Sequence, residues 1–451
     1  MSRMSPFRFG LVLVVTSVLT AACVTGGSST PSANKPAPDP SAVLSGPLEV
    51  VSYQAEGTPM YKRYRTLASQ FEAANPGVKV KLTFGGGPGM PPIAARYRAG
   101  EPPDVNPTIA GPDGEYAKSG AVMDLSTAID KPLAGHDGSW KDSMYPGVLS
   151  YLKNTQSGKF YATPESVTAI QFFYNKKLFD QYGLQAPKTV DELFAVSDAM
   201  KSHGVAPFAV TGTFNYYMQM YMDYLLLRHS DVKGVVNAIG GATVPATDRT
   251  TFANLPGVNA AAKDLEHMVK SGYFMNGFRS TDFTAAQLAF FQGKAAMILM
   301  GSWLSSEMSD SIPSGFELGT FPFPTVSGGA SDQAISLGSV QEYEIAAKAK
   351  NPNAAIAWLK FLASNANQES YVKDANAISA YKGISPPVGF ADQANMLSSG
   401  QIVPSYFNLL TQPAAIQNAY QLPIAKLFFG KTDAASMVAD ISSGLTKANK
   451  Q

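Results

Sequence analysis

The chain has one cysteine, Cys23, and only four histidines, His136, His203, His229 and His267, in 451 residues. A single cysteine excludes an intramolecular disulfide, and the zinc and thioredoxin spacings are absent. The histidines are scattered, and none stands in H-E-x-x-H or another ligand spacing. There is no G-x-S-x-G elbow and no P-loop. The stretch Gly85-Gly86-Gly87-Pro88-Gly89 fails as a dinucleotide fingerprint, because Met90 takes the place of its third glycine. Charge is sparse and balanced, with 35 basic and 34 acidic residues and no basic cluster, which argues against nucleic acid as a partner. These absences predict a protein without metal, cofactor or catalytic centre. Glycosidase carboxylates lie far apart along a chain, so Asp104, Glu165 and Glu342 stay open as acid–base candidates. The commoner roles for such residues are solvation and hydrogen bonding to ligand hydroxyls.

The first 22 residues read as a secretory signal. Arg3 and Arg8 form a positive region, Leu11–Leu19 a short apolar one, and Ala21-Ala22 precede Cys23. The apolar run is too short for a retained span, and no later run is long enough to cross a bilayer. Residues 23–46 are rich in Gly, Ser, Thr, Pro, Asn and Ala. Such a segment buries too little apolar surface to offset its ordering entropy and reads as a tether. Leu19-Thr20-Ala21-Ala22-Cys23 resembles a bacterial lipobox, with Thr20 where a leucine usually stands. The resemblance implies lipid on Cys23; the alternative is a secreted protein with a free thiol.

The remaining residues, roughly 400, suit two domains rather than one core. Leu48–Tyr53 predicts a strand, and Thr58-Pro59 opens a helix with Tyr61, Tyr64, Leu67, Ala68 and Phe71 on one face. Val78, Val80, Leu82 and Phe84 alternate as a second strand. This order begins a doubly wound α/β domain. Gly158–Pro164 reads as a hairpin edge and Thr168–Tyr174 as a buried strand. Thr189 and Glu192 form a capping box for the clearest helix. The helix after the Phe208–Val210 strand carries Tyr216, Tyr217, Tyr221 and Tyr224. Most of that face predicts core, while its first two rings are placed to overhang a cleft. Ala295–Met300 is a buried strand that leaves through Gly301-Ser302-Trp303. Trp303, one of three tryptophans, either caps the core or lines a pocket at the strand's carboxyl end. Ile335–Ala347 reads as strand, polar turn, strand. Asn351-Pro352 starts one late helix and Thr432 caps the last.

Several segments together resemble the extracellular solute-binding proteins of ABC importers, in the carbohydrate-binding group that includes maltose-binding protein. They are Pro103-Asp104-Val105; Phe172-Phe173-Tyr174-Asn175-Lys176-Lys177-Leu178-Phe179 with Pro187–Leu193; Phe291–Met297 with Gly301-Ser302-Trp303; and Ala346–Pro352. The resemblance runs from about Leu48 to Leu445. It implies a two-lobed α/β periplasmic-binding-protein-like fold, with strands crossing between lobes near Ser166–Ile170, Ile335–Val340 and Asp392. Lobe one would be 47–167 plus 340–392, and lobe two 168–339 plus 393–451.

The resemblance also implies the site. Trp303, Tyr216 and Tyr217 would supply aromatic platforms on lobe two. Gln54, Glu56 and Asp104 would supply polar contacts on lobe one, with Glu165 and Glu342 near the crossings. For Asp104 a structural cap is the competing role. Asn106-Pro107-Thr108 stands where maltose-binding protein has an aromatic, so maltodextrin is not implied. The expected partners are a mono- or oligosaccharide, an ABC permease and, through Cys23, the outer face of a bacterial cell membrane; the protein would act as a monomer. A peptide or polyamine ligand, a carbohydrate-active enzyme on this scaffold and a surface sensor subunit remain as alternatives.

Overall fold

Two long strands carry the architecture, and everything else is hung from them. The computed structural model describes residues 43–52, 59–84, 91–108, 114–240, 244–329, 335–387, 390–399, 401–404 and 413–450. The signal segment, Cys23, Gln54, Glu56 and the glycine loop at 85–89 lie outside them.

The chain opens with β1 (Gly46–Ser52), α1 (Pro59–Ala74), β2 (Val78–Phe84), α2 (Pro91–Ala99) and β3 (Val105–Pro107). Three short helices follow, α3 (Glu115–Lys118), α4 (Ser126–Ile129) and α5 (Pro146–Leu152). The long β4 (Ala162–Asn175) leads to α6 (Lys176–Gln181), α7 (Val190–Ser202), β5 (Ala206–Ala209) and α8 (Asn215–His229). Next come α9 (Val232–Ile239), α10 (Val258–Lys270), α11 (Phe283–Phe291), β6 (Ala295–Gly301), α12 (Leu304–Glu307) and β7 (Leu318–Phe321). The second long strand, β8 (Ile335–Ile345), precedes α13 (Pro352–Leu362), α14 (Asn365–Ala375), β9 (Ile378–Ser379), α15 (Ala391–Ser399), β10 (Gln401–Pro404), α16 (Ala414–Phe428) and α17 (Ala434–Ala448).

The main sheet order is β2-β1-β3-β8-β4-β6-β5. The two long strands pair antiparallel from Ala162↔Glu344 to Ala169↔Gly338. On one side β1 runs parallel to β2 and β3, and β3 joins β8 antiparallel. On the other, β4 joins β6 antiparallel from Ile170↔Gly301 to Tyr174↔Met297, and β5 runs parallel to β6. The first half of β4 therefore belongs to one lobe and the second half to the other. These directions aim the carboxyl ends of β1, β2 and β3 at the crossing from one side, and those of β5 and β6 from the other.

Aromatic pairs pack on both sides of the crossing within one continuous core. On one side, Phe71 meets Trp358 edge-on at 5.3 Å. On the other, Phe172 stacks on Phe321 at 5.1 Å and meets Tyr221 at 6.1 Å. The crossing is gripped by α8. The Tyr224 hydroxyl donates to the Ile170 carbonyl on β4 and accepts from the Leu337 N–H on β8 at 3.1 Å. Fully buried Arg228 donates to the carbonyls of Phe323 at 2.9 Å and Ile335 at 3.1 Å. At Gly338 the strands come so close that a Cβ would stand 2.4 Å from the Thr168 carbonyl oxygen.

Three expectations are corrected. Ala162–Pro164 are part of central β4, not a hairpin edge, and the irregularity at Glu165 is a bulge within it. Residues 335–345 form one strand without a polar turn. Its Glu342 and Glu344 stay in the strand because burial neutralises them, pushing each carboxyl up to about 8. The last helix is capped by Asp433, which accepts from the Ser436 N–H at 2.7 Å, rather than by Thr432. The capping at Thr189 and Asn351 is as expected, at 3.2 and 3.3 Å.

A third carboxyl is buried between α8 and α16. Asp223 accepts from Gln219 at 2.9 Å and from the Tyr420 hydroxyl at 2.7 Å, and burial pushes it up to about 8. The folded protein thus keeps protons on Asp223, Glu342 and Glu344 that the unfolded chain releases above the ordinary carboxylate range. Their contribution to stability is full at low pH and is lost as pH rises toward 8. We expect Asp223→Asn to flatten the fall in unfolding free energy over that window by up to about 1.4 kcal/mol per pH unit, measured by urea titration. An unchanged slope would show that Asp223 is ionised in the folded state.

Candidate functional site

The lobe-two wall grows from the end of β6. Ala295–Gly301 is buried throughout, and the chain must turn where that apolar run stops. The Trp303 indole folds back over Gly301, whose absent Cβ would lie 2.0 Å from the ring. No larger residue at 301 allows this pose. The indole remains half-buried, at the start of α12.

The amino-terminal end of α8 lies beside it. Tyr216 and Tyr217 have ring centroids 4.4 Å apart. The Tyr217 hydroxyl takes side-chain hydrogen bonds from Tyr216 and Trp303; burial outweighs them and pushes it up to about 12. Phe283, the first residue of α11, lies parallel to the Tyr217 ring at 6.5 Å. Phe214 meets Phe283 edge-on at 5.7 Å and is 49 % exposed.

A carboxylate completes the wall. Glu307 donates its N–H to the Trp303 carbonyl at 2.9 Å, and its side chain accepts from Gln287 Nε2 at 2.9 Å. Burial raises its carboxyl above the ordinary range, against the opposing bond from Gln287. Behind it, Gln171 faces Met300 across the strand pair, and Ser302 bonds to Ala169 through its backbone. Strand alternation puts Gln171, Met300 and Ser302 on one face. Ser302 Oγ and both amide atoms of Gln171 are buried without a partner.

The lobe-one wall is polar. The Thr108 N–H donates to the Glu342 carbonyl at 3.1 Å, and the Thr108 side chain bonds to the Glu342 carboxyl. Glu342 Oε2 is buried and has no partner. Deeper in, Glu344 accepts from Asn106 at 2.7 Å, and Tyr97 donates to Asn106 at 2.9 Å. On the crossing between the walls, Thr168 Oγ1 and Ser339 Oγ lie 2.5 Å apart.

The structure therefore brings Trp303, Tyr216 and Tyr217 together, while Glu342 lies on β8 beside Thr108. Two expected contacts lie elsewhere. Glu165 is 2 % exposed at the β4 bulge, and its carboxylate accepts the Tyr64 hydroxyl at 2.5 Å inside lobe one. Asp104 takes the structural role of its two possible roles. Its carboxylate accepts three backbone N–H groups, from Glu49 at 2.9 Å, Lys350 at 2.5 Å and Asn351 at 3.0 Å. Sequence reasoning missed Glu307, Gln287, Phe283 and Phe214. Glu307 had a readable signal, standing one helical turn after Trp303. Gln287 had none, since its partner is 20 residues away. Among the described residues no cluster of His, Cys, Asp and Glu could hold a metal ion.

Comparison with known proteins shows the family. The family model described as bacterial extracellular solute-binding protein matches residues 54–369. An uncharacterized ABC transporter extracellular-binding protein of Pyrococcus horikoshii is 28 % identical over 397 residues, covering 84 % of this chain and 80 % of that protein. The multiple sugar-binding protein of Streptococcus mutans is 25 % identical over 401 residues, covering 84 % and 83 %. In fold, the chain is similar to ligand-free RafE of Streptococcus pneumoniae, with TM-score 0.70 at 20 % identity over 90 % of this chain and 99 % of that one.

The role of Asp104 is testable. Asp104→Ala strands three part-buried donors, so it should lower the unfolding free energy by about 3 kcal/mol in urea titration with an unchanged m-value. A variant as stable as the parent would return Asp104 to the list of ligand contacts.

Proposed function

The chain belongs to the bacterial extracellular solute-binding proteins, and from that premise we propose that its solute is a mono- or oligosaccharide. The sugar is held in the cleft between the lobes and delivered to an ABC permease. The observation that carries this reading is the half-buried Trp303 laid beside Tyr216 and Tyr217, with Glu307 and Gln287 at its edge. A pyranose shows C–H groups on its faces and hydroxyls round its rim. Rings cover the face, and carboxylate and amide groups take the rim. The sugar named for the Streptococcus mutans relative supports the same ligand class.

Family membership places the protein outside the cytoplasm. Lipid on Cys23 and the tether 23–46 would hold it at the membrane, and it would work as a monomer with lobes 47–167 plus 340–392 and 168–339 plus 393–451. Gln54, Glu56 and Glu342 would add lobe-one contacts. The mechanism is binding without chemistry. A solute touching both walls favours the closed arrangement, because only that form makes both sets of contacts.

A thermal-shift screen against mono- and oligosaccharides tests the class, since a ligand that binds only the folded state raises Tm by mass action. A shift with one sugar class supports the reading; a shift only with a polyamine or peptide removes the carbohydrate claim and keeps the fold. For the sugar that binds, Trp303→Ala should weaken affinity by about 1–3 kcal/mol through lost stacking area, with an unchanged circular dichroism spectrum. Unchanged affinity would remove Trp303 from the site.

A further inference from the structure

The segments that carry the candidate site residues and the crossing contain no Lys or Arg. This holds for 104–108, 162–171, 210–217, 281–287, 301–311 and 335–345. It holds equally for the sequence between β1 and α1, between β2 and α2, and between β3 and α3. The nearest cation along the chain is Arg279, and its guanidinium is turned to Gly430, 3.8 Å from where a Cβ there would stand. On lobe one, Arg96 is held by both carboxylate oxygens of Glu49, at 2.9 and 2.7 Å. Every charged residue of these segments is acidic, Asp282, Glu307, Asp310 and Glu342 among them. The side-chain partner of Glu307 is the neutral amide of Gln287, and Tyr216 and Tyr217 lie close enough to feel its charge.

We propose that Glu307 is a specificity-determining acceptor of the lobe-two wall, and that the site takes uncharged glycans and turns away those bearing a carboxylate or phosphate. The inference rests on the sugar reading above. Glu307 is fixed twice, by its backbone bond to Trp303 and by the side-chain bond from Gln287. Glu307 follows Trp303 by one helical turn, and its carboxyl acts on Tyr216 and Tyr217 beside that ring, so the rim of a sugar stacked there faces it. A hydroxyl there donates to a charged acceptor, a bond stronger than one between neutral groups. A uronate or phosphate at the same point meets a like charge. The same geometry makes affinity depend on pH. As pH falls through the titration of Glu307, the carboxylate loses its charge and the bond weakens.

The test uses the full-length protein and calorimetric titration with raffinose, maltotriose and diacetylchitobiose. Each is then compared with its own uronate, made by oxidising a primary alcohol, or with its 6-phosphate where no uronate can be made. We expect the acid form to bind roughly 100-fold more weakly than its neutral parent. Glu307→Ala should weaken the neutral sugar by ~30-fold. Glu307→Gln keeps the shape and the bond to Gln287, and it should both narrow the neutral-to-acid ratio and flatten the pH profile. A packing role alone would move neither. Equal binding of sugar and uronate, or an unchanged ratio in Glu307→Gln, overturns the proposal and leaves the sugar reading standing. If no sugar in either form binds while a polyamine does, the sugar reading and this inference fall together.

Discussion

The structure depends on the pairing of β4 with β8. These two strands lie at the centre of the sheet, and each serves both lobes. Their backbone hydrogen bonds leave little room for side chains at the crossing, as the contact between Gly338 and the Thr168 carbonyl shows. The grip of Tyr224 and Arg228 ties α8 to the same place. A single helix therefore has its far end fastened to the crossing and its near end, with Tyr216 and Tyr217, at the candidate site. The platform is set on a rigid element rather than on a loop.

The two walls differ in chemistry. Lobe two offers rings and the Glu307 carboxyl, which is raised above the ordinary range; lobe one offers carboxyls that burial pushes up to about 8. This division suits a ligand with an apolar face and a rim of hydroxyls. It also follows from placement. Trp303 can lie flat only because residue 301 has no side chain, and Glu307 sits where it does because α12 begins at that turn.

Local signals in the sequence were reliable where the cause was local. The cap at Thr189, the cap at Asn351 and the buried run before Trp303 need only a few neighbouring residues. The grouping of Trp303 with Tyr216 and Tyr217 was legible through resemblance, not through spacing. What escaped was set by distant partners. Glu342 and Glu344 look like turn residues until Asn106, Tyr97 and Thr108 are brought to them. Asp104 looks like a cleft residue until Glu49, Lys350 and Asn351 take its oxygens. Glu165 is drawn inside by a tyrosine 101 positions earlier.

The position of β8 also bears on when the protein can fold. It lies between β3 and β4 in space but is made more than 150 residues after either. A nascent or partly exported chain holding only the first half of the sequence has β1, β2, β3 and β4, yet lacks the strand that joins β3 to β4. Its first lobe must wait as an open sheet edge until residues 335–345 arrive, so neither lobe can complete itself early. For a protein whose place is outside the cytoplasm, this interleaved order acts as a built-in delay, since the fold closes only when most of the chain is present.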